Sequence, residues 1–419
     1  MKHLILGNGP AGVVAAETLR RLDATAEITM VGCENVPPYS RMAIPYRLIG
    51  GIEEAGMYLR KTAGHFGSLG IREILGKAAR LDDKAKTVTL ADGSVLPYDR
   101  LLIATGSHPI KPPVPGIDLP DVHTCWTMDD LRAIMDKAGR GKRVLQVGAG
   151  FIGCIIMEAL AERGVALTIV EMGDRMVPRM MTPTAGGMIK QWVENKGIKV
   201  VTSAKVDRIE AGTPMRAHLS TGEILEFDLI IASAGVRPNI DFLAGTAVAV
   251  GNGILVDEKL ATNAPDIYAA GDVAEAVDFS TGKRLVNAIQ PNAVDQARTA
   301  AYNMAGKPAK SQGTLAINVL ETMGLISSSF GQWWGKEGSE GGDGVEHVDR
   351  NHYRYLSLQF DGDVLIGATS IGLTQHVGAL RGLIQNRTRL GSWKQQLMET
   401  PTRFVEAYVA CSQPVALAR

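Results

Sequence analysis

Cysteine is scarce. Four occur in 419 residues, Cys33, Cys125, Cys154 and Cys411, and they lie far apart. No CxxC pair or Cys/His cluster is present, which excludes a zinc or iron–sulfur site held by the chain itself. Aromatic residues make up only 5%, and they do not interleave with basic residues as base-stacking surfaces require. Net charge is missing too. Lysine plus arginine equals aspartate plus glutamate, 44 each, so no global field favours nucleic acid or an anionic membrane. No apolar run reaches the ~20 residues that span a bilayer. The first residues read as a strand rather than a signal peptide. These absences lead to the expectation of a cytoplasmic, globular protein with no metal site, no nucleic acid and no membrane span. The length calls for two or three domains.

Glycine is abundant, and its placement carries the information. Leu4-Ile5-Leu6 is a short apolar run suited to a buried parallel strand. It breaks at Gly7-Asn8-Gly9-Pro10-Ala11-Gly12 and continues as a helical pattern to about Leu22. In such a strand–turn–helix, Gly7 allows the tight turn, Gly9 lets a pyrophosphate approach, and Gly12 lets helix and strand pack closely. The helix N-terminus offers unpaired N–H groups to the phosphates. A second apolar run, Glu27–Val31, ends near Glu34, where a carboxylate accepts from a ribose hydroxyl. The pattern then repeats. Val144–Val147 leads into Gly148-Ala149-Gly150-Phe151-Ile152-Gly153, a helix to about Arg163, the strand Ala166–Val170 and Glu171.

Between and after these units the chain reads as follows. Val36–Tyr46 is a proline-rich loop running into a short helix. Asp92-Gly93 joins Thr87–Leu90 and Val95–Pro97 as a hairpin. Leu101–Gly106 is a strand ending in Ala104-Thr105-Gly106, and Pro109, Pro112, Pro113 and Pro115 mark a linker. Leu229–Ala232 ends in a similar way and runs through Gly235-Val236-Arg237-Pro238 back towards the first unit. A later strand ends at Gly271-Asp272, and Pro291–Ala305 reads as a helix with proline in its first turn. From about 310 the pattern changes. Thr314–Glu321, Gly324–Ser329, Tyr353–Phe360 and Val364–Ser370 read as antiparallel strands, Gly335–Gly344 as a solvated loop, and Thr374–Leu390 and Trp393–Val409 as two helices. The expected fold is α/β. Two Rossmann-like nucleotide-binding domains, the first discontinuous (1–116 with 246–309, then 117–245), precede a C-terminal α+β domain (310–419).

Two dinucleotide fingerprints, the Ala-Thr-Gly strand end, Gly-x-Arg-Pro and the late Gly-Asp together resemble the two-dinucleotide-binding flavoprotein family. That family includes ferredoxin and rubredoxin reductases, NADH oxidases, CoA-disulfide reductases and dihydrolipoamide dehydrogenases. The resemblance implies FAD in the first site, on Gly7, Gly9, Pro10, Ala11, Gly12, Glu34, Arg41, Ala104, Thr105, Gly106, Gly271 and Asp272. It implies NAD(H) in the second, on Gly148, Gly150, Phe151, Ile152, Gly153, Glu171 and Gly235. The helix that begins at Pro291 and Asn292 would point its positive end at the flavin, near Pro45 and Tyr46, and the C-terminal domain would be the interface domain, a possible homodimer contact. Glu171 favours NADH over NADPH, since a carboxylate bonds a 2′-hydroxyl and repels a 2′-phosphate. Arg175, four residues on, is a cation that could accept such a phosphate.

What the chain lacks then narrows the chemistry. No CxxxxC pair follows the first unit. The Ser-x-x-Cys-Gly-Ile-Pro-Tyr of CoA-disulfide reductases and NADH oxidases is replaced by Ser40-Arg41-Met42-Ala43-Ile44-Pro45-Tyr46, and a thioether forms neither thiolate nor sulfenate. Pro38–Arg41 resembles oxygenase-type ferredoxin reductases, but their lysine–glutamate pair near the flavin is replaced by about Tyr46 and Ile155. Both charges are gone together, which avoids a buried unpaired charge. Cys154 follows Gly153 at a helix start and reads as a small buried residue. Trp333 and Trp334 read as core, flavin cover or partner contact.

With no thiol relay, electrons must pass to something that arrives at the flavin edge, and an iron–sulfur protein or subunit is expected. A run of Arg381, Arg387, Arg389, Lys394, Arg403 and Arg419 reads either as a basic face for an acidic partner or as a solvated helix face. The stretch Gln375–Ile384, with Trp393-Lys394 and Pro401-Thr402-Arg403, resembles the FAD subunits of anaerobic NAD-reducing complexes such as phenylglyoxylate dehydrogenase and tungsten aldehyde oxidoreductase. The expected function is therefore FAD-dependent electron transfer between NAD(H) and an iron–sulfur partner. The alternatives are a free-standing NADH:rubredoxin or ferredoxin reductase, an NADH oxidase, or a redox-sensing FAD/NADH-binding protein.

Overall fold

A computed structural model describes residues 1–336 and 343–412. Its first part runs β1 (Lys2–Leu6), α1 (Pro10–Leu22), β2 (Glu27–Gly32), α2 (Ile44–Leu48), β3 (Ile71–Leu75) and β4 (Arg100–Ile103). The second runs β5 (Val122–His123), α3 (Met128–Lys137), β6 (Arg143–Val147), α4 (Phe151–Glu162), β7 (Ala166–Val170), α5 (Pro183–Asn195), β8 (Lys199–Val201) and β9 (Leu229–Ala232). Then come β10 (Ile267–Ala269) and α6 (Gln290–Met304). The last part holds β11 (Ile317–Thr322), β12 (Leu325–Gly331), β13 (Gly344–Asp349), β14 (Arg354–Asp361) and β15 (Val364–Ile371), followed by α7 (Val377–Gln385), α8 (Ser392–Glu399) and α9 (Phe404–Ser412).

The fold is α/β with two Rossmann-like sheets. The first has the order β10-β4-β1-β2-β3, all parallel. β1 is continuous apolar sequence because both faces of a parallel sheet are buried, here in one core shared with α1, α6 and the antiparallel strands of 78–97, and Leu4, Ile5 and Leu6 are buried. Each such side chain contributes about 1.5–3 kcal/mol relative to exposure. The second sheet has the order β8-β7-β6-β9-β5. The chain returns from the second sheet to the first, since β10 pairs with β4. The two crossings, Ser107–Pro109 and Val236–Pro238, pair with each other antiparallel.

The third sheet is antiparallel, β11-β12-β15-β14-β13. It contains a strand not expected from sequence. β13 alternates exposed and half-buried residues at the sheet's edge, so its apolar signal is weak. The loop expected at Gly335–Gly344 lies in part outside the described residues. The helix expected over Trp393–Val409 is two helices. Pro401 lacks the N–H that would continue α8, and Thr400 before it leaves the helical region at φ −140° and ψ 82°, since helical backbone is disfavoured before proline. The other expected helix is confined to α7. Among the described residues no helix is long and apolar enough to cross a membrane.

Candidate functional site: two glycine cradles in one chain

Gly7 ends β1 at φ +114°, and a Cβ there would stand 2.0 Å from the Ala104 carbonyl oxygen. A Cβ on Gly12 would stand 1.8 Å from the Gly7 carbonyl oxygen. Gly9 has open space where a Cβ would be. Two glycines therefore close the turn on itself and on β4, and the third leaves room for a ligand. Gly9 is also the N-cap of α1 and makes no side-chain cap, and Val13 is the first residue whose N–H bonds back to Gly9, so the N–H groups of Ala11 and Gly12 are left for a ligand. Behind the cradle Thr105 donates to the Asn239 carbonyl (2.9 Å) and Asn239 donates back to the Thr105 carbonyl (2.8 Å), fixing the loop Ala104–Gly106.

A cavity of about 530 Å³ opens beyond β1–β3, lined by Asn8, Gly32, Glu34, Arg60, His65 and Glu73 among others. It has the place and size for an adenosine. Glu34 is held hard at its edge, accepting from Arg41 Nη2 (3.0 Å), the Tyr39 hydroxyl (2.8 Å) and the Met128 N–H (3.2 Å). Arg41 also donates to the Trp126 carbonyl at 3.0 Å and lies over the Trp126 ring. On the outer wall Glu17 of α1 accepts from Arg60 through both oxygens at 2.6 Å and contacts His65 Nε2 at 2.9 Å.

At the other end Gly271, at φ +82°, sits where a Cβ would touch Ala11 and Ala293. Its N–H donates to Gln296 at 2.7 Å. Asp272 accepts from the Ser107 hydroxyl at 2.9 Å. Burial pushes its carboxyl pKa up, against the Ser107 hydrogen bond and the charge of Arg41. The first turn of α6 faces a hollow of about 410 Å³ lined by Gln290, Pro291, Val294 and Asp295. Ser40 donates to Gln290 at 3.0 Å, tying the loop before α2 to this helix end. Asn292 is turned to the Asn287 and Leu315 carbonyls.

The second cradle repeats the first. Gly148 is at φ +104°, and a Cβ would lie 2.6 Å from the Ser233 carbonyl oxygen. A Cβ on Gly153 would stand 2.5 Å from the Gly148 carbonyl oxygen, and Gly150 is open and caps α4. Phe151 and Ile152 are half-buried. Here polar side chains support the turn, for Gln146 Nε2 (2.9 Å) and the Ser233 hydroxyl (3.0 Å) both donate to the Gly148 carbonyl. Glu171 accepts from the Ala149 N–H (2.6 Å) and the Gly173 N–H (2.7 Å). Gly235, at φ +108°, lies across the cleft, with the exposed Arg179 guanidinium 3.9 Å from its Cβ position.

The expected glycines, acids and strand ends thus gather at two clefts. Tyr46 does not join them closely, being 60% exposed, and Met42 is 48% exposed. Ser107, Tyr39, Arg60 and Arg179 were missed by sequence reasoning. The first two adjoin residues that the motifs flagged, whereas Arg60 and Arg179 belong to no motif considered. Trp333 and Trp334 form an edge-to-face pair with Trp334 half exposed. The basic tail is largely paired. Arg389 meets Asp363, Lys394 meets Asp343, Arg403 meets Glu406, and Arg387 donates to the Phe279 carbonyl over its ring. Arg381 is exposed beside Gln385, and Arg419 lies outside the described residues. Cys125 and Cys154 are buried, and burial pushes both thiols up to about 12.

Comparison with known proteins agrees with this geometry. The model of the pyridine nucleotide-disulphide oxidoreductase family matches residues 1–301. The chain is 33% identical over 406 residues to the epsilon subunit of an NADH-dependent phenylglyoxylate dehydrogenase from Aromatoleum evansii, covering 96% of this chain and 95% of that one. It is 33% identical over 313 residues to a probable ferredoxin reductase of Castellaniella defragrans, covering 73% and 76%. A water-forming NADH oxidase from Lactobacillus brevis, solved with NADH bound, superposes with a TM-score of 0.86 at 26% identity, covering 94% and 92%. The cofactors are FAD and NAD(H), and the chain belongs to the pyridine nucleotide-disulphide oxidoreductase family.

Proposed function

We propose that this oxidoreductase moves electrons between NAD(H) and an iron–sulfur partner or subunit by way of FAD, with no cysteine in the relay. The observation that carries it is the pairing of two open glycine cradles with the placement of the thiols, since Cys33 is exposed but follows Gly32 at the adenosine cavity and Cys411 lies in α9 of the C-terminal part. Met42 stands where related enzymes place cysteine, and Cys125 and Cys154 are buried and protonated. Bound FAD supplies hydride exchange with the nicotinamide and single-electron exchange with the partner.

The chain's own groups bind and orient. Gly9 and Gly150, each at a helix start, take the two pyrophosphates. Glu34 takes the adenosine ribose of FAD while Arg41 and Tyr39 hold it in place. Asp272 takes the ribityl chain, its carboxylate already oriented by Ser107. The first turn of α6 presents unpaired N–H groups at the flavin end, where negative charge is stabilised. Arg179 is placed to meet dinucleotide phosphate across Gly235. The relatives support the partner assignment, one being a subunit of a dehydrogenase and one a probable ferredoxin reductase. In this reading residues 1–116 with 246–309 hold FAD, 117–245 hold NAD(H), and 310–419 form the partner or dimer face.

The test is turnover of the purified, FAD-loaded protein with NADH. Fast reduction of viologen or a ferredoxin with negligible oxygen consumption is expected. Rapid formation of hydrogen peroxide or water instead makes the protein an oxidase and ends the proposal.

A further inference from the structure

The chain enters the second part through a short strap, Thr124–Thr127, between β5 and α3. One carboxylate shapes it. Asp130 of α3 accepts from the Thr124 hydroxyl (2.9 Å) and from the Trp126 and Thr127 N–H groups (both 3.0 Å). The Thr127 hydroxyl accepts from the Asp130 N–H at 3.1 Å in return, so strap and helix close as a capping box. A carboxylate that collects three donors fixes the backbone that carries them.

The strap so shaped lies against the first cleft. The Met128 N–H just beyond it donates to Glu34 at 3.2 Å. The Trp126 carbonyl accepts from Arg41 Nε at 3.0 Å, and the guanidinium carbon stands 5.2 Å from the centre of the Trp126 ring. The indole N–H donates to the Ser107 carbonyl at 2.9 Å, and the Ser107 hydroxyl holds Asp272. One segment of the second part thus reaches both acids of the first cleft, Glu34 directly and Asp272 through Ser107. Arg41 serves both acids as well. It bonds Glu34, and its charge reaches Asp272. Its side chain is still 36% exposed, so its protein partners do not close it off. Trp126 offers it a ring face and a carbonyl together, which a planar guanidinium uses in one geometry.

We infer that the strap Thr124–Met128 is a clasp on FAD, with Trp126 a positioning residue that holds the Arg41 guanidinium for the pyrophosphate. Glu34 and Asp272 mark the ribose and ribityl ends of the dinucleotide, and phosphate charge falls between those ends, where a held cation is most useful. Retention of the first cofactor therefore depends on a segment of the second part. This inference rests on the reading of the first cleft as the FAD site.

The test is the exchange of bound FAD against excess isotope-labelled FAD in the loaded protein. Arg41→Ala is expected to exchange at least about tenfold faster than wild type. Trp126→Leu keeps apolar bulk, loses the ring face, and should exchange about tenfold faster. Trp126→Phe keeps a ring beside Arg41 and loses only the bond to Ser107, so it should stay within about threefold of wild type. Added to Arg41→Ala, Trp126→Leu should speed exchange by less than about threefold further, since the cation it held is gone. Loosened packing alone would act whether or not Arg41 is present. An unchanged rate in Trp126→Leu, its full effect in both backgrounds, or Trp126→Phe exchanging as fast as Trp126→Leu overturns the inference. Wild type that takes up no FAD, or a Glu34→Ala and Asp272→Ala double variant that binds FAD as well as wild type does, fails the underlying site assignment instead.

Discussion

The two cradles have nearly one backbone and quite different surroundings. Gly9 and Gly150 cap their helices at φ −72° and −74° with the same ψ of −173°. The first turn is tighter, since a Cβ added to Gly12 would stand 1.8 Å from the Gly7 carbonyl oxygen and one added to Gly153 2.5 Å from that of Gly148. Beyond the turn the first site opens into a cavity of about 530 Å³, whereas the acid of the second is bonded directly to its own glycine loop. The first acid is held by Arg41 and Tyr39, side chains of the following loop. A deep cavity with side-chain walls suits a cofactor that stays. An acid bonded to its own glycine loop leaves a finished backbone rim, which suits one that comes and goes. In the proposed reading, what separates the FAD site from the NAD(H) site is therefore the loop after the second strand and not the glycine turn.

Substitutions at matched positions sharpen that contrast. The largest effect is expected at the third glycines. Gly12→Ala forces a Cβ into backbone and should yield colourless protein that does not take up FAD, read from the visible spectrum. Gly153→Ala also clashes, so NAD⁺ affinity should fall at least about tenfold, yet the protein should stay yellow. Equal loss of flavin in both would erase the distinction. Next come the open glycines. Gly9→Ala and Gly150→Ala meet nothing within 4 Å, so thermal stability should change by less than about 1 kcal/mol. Each should weaken only its own dinucleotide, as the titrated affinities of FAD and NAD⁺ would report.

A smaller effect is expected from Tyr39→Phe. It removes one of the bonds to Glu34 and should weaken FAD by roughly 1 kcal/mol with NAD⁺ binding unchanged. Asp272 supplies a pH test. Its folded pKa is raised by burial, so the native state holds its proton more tightly than the unfolded chain. Stability from this group is present below the ordinary aspartate range and declines as pH rises through the folded value. Asp272→Asn should therefore stabilise the FAD-free protein slightly at neutral pH and flatten its stability profile above that range, in denaturant titrations. The smallest effect is expected for Cys154→Ala and Cys125→Ala, which should leave electron transfer to viologen within about twofold.

Much of this was legible in the sequence because glycine turns are local. Gly7-x-Gly9-x-x-Gly12 and its repeat lie in continuous chain, and the strand, helix and acid follow at fixed spacing. The return of the chain to the first sheet was signalled by Gly235-Val236-Arg237-Pro238 after the strand Leu229–Ala232. The partners of those residues were not legible. Ser107 meets Asp272 across 165 residues, and Arg60 meets Glu17 across a loop without a motif. The seat of Arg41 needed the ring and carbonyl of Trp126, 85 residues away in the chain and placed by tertiary packing. Edge strand β13 escaped because an exposed strand need not be apolar, and the break at Pro401 was overridden by the helical periodicity on either side.

Anaerobic reduction of the flavin by stepwise NADH addition, with accessible thiols counted before and after, addresses the absence of a sulfur relay. Full bleaching at about one NADH per flavin with an unchanged thiol count is the expected result. Consumption of a second equivalent, with new thiols appearing, would contradict it.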